Sequence, residues 1–171
     1  MISHEPAGYR CPFCVLIAGG ATDISGPDDV VARTDVAVAF IAPSWKPHNP
    51  GSVLVVSAVH VENLYTLPTV VGHGVHDLVQ QVAVAIRRSY GCAGISTRQH
   101  NEPAGDQSVW HYHVHVSPRF DGDDLYRSLQ SSTHPTREER TRFADLLRDQ
   151  LRRASHQPAV ASGDGPGRDG G

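Results

Sequence analysis

Three histidines at alternate positions, His111, His113 and His115, are the residues of this chain best placed to do chemistry. Tyr112, Val114 and Val116 interleave with them, so an extended segment puts the three imidazoles on one face and the apolar groups on the other. A solvated strand face carries mixed polar residues rather than one residue type in line. Such a row serves two chemistries. A His-x-His pair can give two nitrogens to a metal shell that other residues complete. Alternatively, a neutral imidazole can attack phosphorus and hold it as a covalent phosphohistidine, splitting one hard displacement into two easier ones. Asn101, Gly105, Gln107 and Ser108 lie just upstream and offer amide, backbone and hydroxyl donors. Donors suit an anion, whereas a hard cation calls for carboxylates. Donors around non-bridging phosphate oxygens also stabilise the charge of a transferring phosphoryl group. The surroundings favour phosphoryl or nucleotidyl transfer.

Cys11 and Cys14 form a second constellation at Cys-x-x-Cys spacing. That spacing suits a redox pair, two inert buried thiols or half of a metal shell. The strand-to-helix setting of thioredoxin-like redox pairs is not evident around it.

The stretch NEPAGDQSVWHYHVHVSPR, residues 101–119, resembles the signature of the histidine-triad (HIT) superfamily of nucleotide hydrolases and transferases, His-φ-His-φ-His-φ-φ with φ apolar. The φ positions are Tyr112, Val114, Val116 and Ser117. The resemblance extends back through LVVSAVHVENLY to CPFC and leaves the C-terminal segment outside. It implies His113 as nucleophile, His115 on the phosphate and leaving group, Gln107 on a phosphate oxygen and Ser108 beside the leaving atom. Asn101 matches the family's loop asparagine. A histidine at position 115 fits the hydrolase branches better than the hexose-phosphate uridylyltransferases, whose third position is glutamine. The zinc-containing bacterial Hint-like branch implies a structural Zn²⁺ on Cys11, Cys14, His60 and His111, and the family implies a homodimer. A zinc with four protein ligands has no open position for water and is no catalytic cofactor. Two departures concern ribose recognition: Ala42 stands where the family commonly has Asp, and Ser52 follows Gly51 where His is frequent.

The expected activity is hydrolysis or nucleotidyl transfer at the α-phosphate of nucleoside 5′-monophosphate conjugates, of the nucleoside phosphoramidase kind, through a nucleotidyl-His113 intermediate. Three alternatives stay open: a nucleotide-binding protein without turnover, a diadenosine-polyphosphate hydrolase or phosphorylase, and a metalloenzyme using the histidine row. One geometric tension follows: in an unbroken strand, ligand His111 and nucleophile His113 share a face with Cα atoms about 7 Å apart.

These groups need a scaffold, and the pattern reads as α+β. Residues 11–18 form a short element, and 30–32 and 36–41 are strands separated by a break at Arg33-Thr34-Asp35. PSWKPHNPG, residues 43–51, is a proline-rich loop, and 52–57 is a buried strand. Val75, Leu78, Val79, Val82 and Ile86 repeat at helical spacing, which predicts a helix over 75–89. A strand at 95–99, a loop at 100–107 and a strand at 108–117, ended by Pro118, follow. Thr136 and Glu139 make a capping box for a last helix with Phe143, Leu146, Leu147 and Leu151 on its apolar stripe. The expectation is a HIT-like, mostly antiparallel sheet with a central helix packed on it and a C-terminal helix. Residues 1–130 form the catalytic domain with its N-terminal zinc segment, 131–157 a helical extension and 158–171 a disordered Gly-rich tail.

With 171 residues, one domain suffices. A net charge of −3 leaves no basic surplus for nucleic acid. No apolar run approaches the ~18 residues of a membrane span, and MISHEPAGYR lacks a signal peptide's apolar stretch, so a cytoplasmic protein is expected. His48, His73, His76, His134 and His156 read as surface residues, while His100 adjoins the phosphate loop. Cys92 reads as a packed thiol. Trp45 and Trp110 are candidates to line a base-binding cleft, although large aromatics more often pack.

Overall fold

The structure, a computed structural model, describes residues 3–127 and 131–156; the tail expected at 158–171 lies outside the described residues. Helix α1 covers Pro12–Ile17, strands β1 and β2 cover Val30–Arg33 and Ala37–Ile41, and β3 covers Val53–Ser57. Helix α2 covers Thr69–Ser89, β4 Gly94–Gln99, β5 His113–Arg119 and α3 Arg137–His156. The strands form one sheet in the order β1-β2-β3-β5-β4, and every pair is antiparallel. This is the expected α+β architecture. No helix among the described residues is long and apolar enough to cross a membrane.

Both faces of the sheet are covered, which explains why β2 (AVAFI) and β3 (VLVVS) are continuous apolar runs rather than alternating ones. Ala37, Ala39, Ile41, Val53, Val55 and Val116 face α2 and α3. The opposite face presents Val38, Phe40, Leu54 and Val56 to Phe13 and Leu16 of α1. The β1–β2 turn is held by Thr34, whose Oγ1 accepts from the Ala37 backbone at 3.0 Å.

Helix α2 begins six residues before the predicted start at 75. Two glycines and three β-branched residues in its first turns mask the pattern. Gly74 is there for contact: a Cβ at that position would stand 2.2 Å from Val36 Cγ2, so its absence lets the helix approach the β1–β2 turn. Strand β5 also differs from the prediction, since it starts at His113 rather than 108 and runs through Pro118. Pairing with β3 ends at Val116, so the missing proline N–H falls on a side with no strand, where Asn49 Nδ2 donates to the Pro118 carbonyl at 2.8 Å.

The capping box of α3 is present, with Thr136 N donating to Glu139 Oε2 at 2.7 Å and Glu139 N donating to Thr136 Oγ1 at 3.2 Å. Ala144 and Leu147 are fully buried against the core, whereas Leu146, expected on the stripe, is exposed. A buried ion pair ties α3 to the turn before β1: Arg140 Nε donates to Asp29 Oδ1 at 2.8 Å, and Arg140 Nη1 donates to the Pro135 carbonyl at 3.0 Å. Truncating one partner strands a buried charge. Asp29→Ala is expected to lower unfolding stability by about 3–5 kcal/mol. Asp145→Ala, which breaks the exposed pair with Arg148, should cost under about 1 kcal/mol. Urea midpoints check both, and equal midpoints for the two variants would show that the Asp29 pair does not dock the helix.

Candidate active site and metal centre

His113 opens β5 on the face covered by α1, and it is 3% exposed. Its Nδ1 lies 2.6 Å from the His111 carbonyl oxygen. A carbonyl only accepts, so the ring proton sits on Nδ1 and the lone pair on Nε2. Burial keeps this imidazole below its ordinary pKa, against the opposing pull of the carbonyl, so it is neutral near pH 7. Phe13 packs edge-on to the ring at 5.3 Å and His115 at 5.1 Å, which fixes its orientation.

Ser108, His113 and His115 line one cavity of about 230 Å³. Phe13, Leu16, Phe40 and Leu54 form much of its apolar wall, and Thr22, Ser25 and Ser44 add hydroxyls. Ala42 lies in the same wall, and no carboxylate lines it among the described residues. Ser52 is not part of it; that hydroxyl donates to the Asn49 carbonyl at 3.1 Å. An apolar slot ending at a neutral imidazole and a hydroxyl can hold a flat ring with a phosphate at the His113 end.

Asn101 and Gln107 stand behind this cavity rather than in its lining. Gln107 Nε2 donates to the carbonyls of Glu62 (2.5 Å) and Val109 (3.0 Å), and its Oε1 accepts from Glu102 N at 2.8 Å. Asn101 Oδ1 accepts from Leu64 N at 2.8 Å, and its Nδ2 donates to Gln99 Oε1 at 2.7 Å. Both amides brace the loop that presents Ser108. His100 packs edge-on to His115 at 5.7 Å, with Nδ1 bonded to the Gly105 carbonyl at 2.7 Å. Burial first, then the neighbouring His113, Arg98, His100 and Lys46, hold His115 down to about 3.

The second cluster is adjacent. Cys11 Sγ, Cys14 Sγ and ring nitrogens of His60 and His111 all lie within 4.8 Å of one another. Cys11 Sγ is 3.3 Å and Cys14 Sγ 3.6 Å from His111 Nδ1, while Cys14 Sγ is 3.2 Å from His60 Nδ1. Tetrahedral zinc with ordinary Zn–S and Zn–N lengths sets sulfur and nitrogen about 3.6 Å apart. The far nitrogens agree with that use. His111 Nε2 meets the Ser57 carbonyl at 2.8 Å, and His60 Nε2 meets the Glu5 carboxylate. Each ring therefore carries its proton away from the sulfurs and turns a lone pair toward them. The four residues can hold a metal. Without one, burial and the neighbouring Cys11 push the Cys14 thiol up to about 12, and burial lowers His111 to about 4.

His111 lies before β5, which resolves the tension of ligand and nucleophile on one strand face. Tyr112 N donates to the Val61 carbonyl at 2.6 Å, outside the ladder. The chain turns there, so the His111 side chain points at the cysteines while its carbonyl points at His113. One residue serves both clusters. The sequence reading missed Glu5 and Ser57, which no motif marks because their role depends on contacts with His60 and His111 across the fold. Trp45 is buried against Phe143 and Trp110 stacks on His4, so neither lines the cavity. Cys92 is buried, and His48, His73, His76, His134 and His156 are exposed, as expected.

Comparison with known proteins places these residues in context. The HIT domain model matches residues 25–122. Protein hit of Bacillus subtilis is 33% identical over 120 residues, 70% of this chain and 78% of its own length. The adenylylsulfatase HINT3 of Arabidopsis thaliana is 24% identical over 124 residues, 72% of this chain and 59% of that protein. A Zn-bound histidine triad family protein from Mycobacterium smegmatis superposes with a TM-score of 0.68 at 25% identity, covering 85% of this chain and 95% of the other.

Proposed function

Because the chain belongs to the HIT domain family, we propose that it is a nucleotide hydrolase or nucleotidyl transferase whose nucleophile is His113. The observation that carries this reading is the 2.6 Å bond from His113 Nδ1 to the His111 carbonyl, which leaves Nε2 unprotonated at the end of the cavity. In the first step Nε2 forms a bond to the α-phosphorus of a nucleoside 5′-monophosphate conjugate as the bond to the leaving atom breaks. Ser108 and His115 flank the leaving atom. Water then attacks the same phosphorus, the N–P bond breaks and its electron pair returns to Nε2, releasing the nucleotide. Asn101 and Gln107 act through the loop; Gln107 Nε2 spends both hydrogens on loop carbonyls, whereas Asn101 Nδ2 spends one on Gln99. Catalysis in this reading belongs to residues 1–130 of a homodimer, with the helical extension at 131–157 as a buttress.

The test is rapid quenching with mass spectrometry of the intact protein. The expected result is a transient adduct of one nucleoside monophosphate on His113, followed by free nucleotide. Tight nucleotide binding with neither adduct nor release would make the chain a receptor instead.

The metal of this reading is zinc, held by Cys11, Cys14, His60 and His111, and it supplies a structural cross-link between α1 and the segment before β5. The carboxylate of Glu5 orients His60 and raises its basicity. Glu5→Gln is expected to weaken zinc binding about 10–100-fold, read by competition with a chromophoric chelator. Unchanged affinity would remove Glu5 from the site.

A further inference from the structure

The face of the sheet that carries His113 continues as a polar row. Along β5 it runs through His113, His115, Ser117 and Arg119. Across the ladder Arg98 is the direct partner of His115, and Ser96 of Ser117. Directly opposed side chains of an antiparallel pair begin about 4.5–5.5 Å apart, so Arg98 and His115 leave the sheet as neighbours on one face.

The two arginines on this face differ in their partners. Arg119 is paired: Nε and Nη2 donate to the Asp123 carboxylate at 2.7 and 2.8 Å, and Nη1 donates to Ser96 Oγ at 2.8 Å. Arg98 forms no ion pair among the described residues. Its Nε is buried with no hydrogen-bond partner, and its Cζ lies 5.9 Å from the Tyr126 ring centroid. A guanidinium nitrogen shut off from water without an acceptor is unfavourable by itself. Lys46, the chain's one lysine, comes to the same region with Nζ donating to the Ser131 carbonyl at 3.0 Å. Burial, together with repulsion by Arg98, holds the Lys46 ammonium below its usual range. Two cations thus lie near His115, one of the residues that line the cavity.

We propose that Arg98, supported by Lys46, is the leaving-group subsite and selects substrates whose leaving group is an oxyanion. The substrate class is then a nucleoside 5′-monophosphate joined through its α-phosphate to a second phosphate or to sulfate, rather than to an amine. This rests on the nucleotidyl-transfer reading of His113. As the N–P bond forms, the P–O bond breaks and its electron pair stays on the departing oxygen, whose charge Arg98 meets with a charge-assisted hydrogen bond. The protonation state of His115 fits the same chemistry. An amine departs only when a proton is added, and a ring held down to about 3 carries none to give near neutral pH. A phosphate or sulfate leaves as a stable anion.

The experiment compares kcat/KM on adenosine 5′-phosphoramidate, diadenosine triphosphate and adenylyl sulfate, for wild type and for Arg98→Met. Wild type is expected to prefer the oxyanion-leaving substrates, and which of the two it prefers separates a phosphate from a sulfate leaving group. Arg98→Met is expected to cut the oxyanion-to-amine selectivity ratio about 10–100-fold, the weight of a hydrogen bond to a charged group. Arg98→Lys should restore part of that ratio. If Arg98→Met does not fold, rising salt on wild type should lower the same ratio. A wild type that splits only the phosphoramidate overturns the subsite while leaving His113 as nucleophile. An equal loss on all three substrates, or a ratio insensitive to salt, also overturns it. Release from none of them overturns the subsite and the nucleotidyl-transfer reading together.

Discussion

His113→Ala is expected to lower kcat for nucleotide release by about 10⁴-fold or more, the scale on which enzymes lose rate with their nucleophile. The variant removes Nε2, the one atom proposed to bond phosphorus, and leaves the donors of the 101–108 loop in place. Nucleotide should therefore still bind. The covalent adduct should be absent at every quench time, because nothing remains to form the N–P bond. The ring also packs on Phe13 and His115, so some stability will be lost with it. A thermal melt and a nucleotide-binding isotherm separate that loss from the chemical one. Release by the variant within about tenfold of wild type would show that water attacks the substrate directly, and the covalent route would fall.

Removing the metal is expected to have the second-largest effect, and to act on structure before chemistry. Cys11 caps α1 and Cys14 lies in its first turn, while His60 follows β3 and His111 precedes β5. Sequestering zinc, or replacing Cys11 with Ser, should cost about 5 kcal/mol or more of stability, since metal binding free energy in such a shell is folding free energy. Hydrogen exchange should locate the change in 11–17 and 57–62, with the β2–β3 core keeping its protection. Activity should fall in step, because the His111 carbonyl that holds the His113 proton belongs to the same residue that we propose as a metal ligand. Zinc returned to the stripped protein should restore exchange protection and turnover together. Turnover lost on chelation with exchange protection unchanged would instead point to a metal taking part in the reaction.

The histidine row, the Cys-x-x-Cys pair, the capping box at Thr136 and the two apolar strands were legible because each is local. Alternation and i,i+3 spacing follow from backbone geometry alone, and a continuous apolar run needs only that both sheet faces be covered. The start of α2 was hidden for a local reason as well. Gly72 and Gly74 weaken the helical signal, and the benefit of Gly74 appears only where Val36 packs against it. The resemblance supplied the joining of Cys11 and Cys14 to His60 and His111, and no spacing rule could have done so across 100 residues.

Tertiary structure alone decided the features that turn these residues into a site. Pairing with β3 and β4 sets where β5 begins, so His111 turns toward the cysteines while His113 stays in the ladder. The proton of His113, the orientation of His60 by Glu5 and the bracing of Gln107 depend on which acceptor lies within hydrogen-bond reach. Arg98 faces His115 because the β4–β5 register puts it there, and a slip of one residue would send it to the other side of the sheet. Residue types and their periods are written along the chain. Partners are set by contacts between segments distant in sequence, and the chemistry of a histidine depends on its partners.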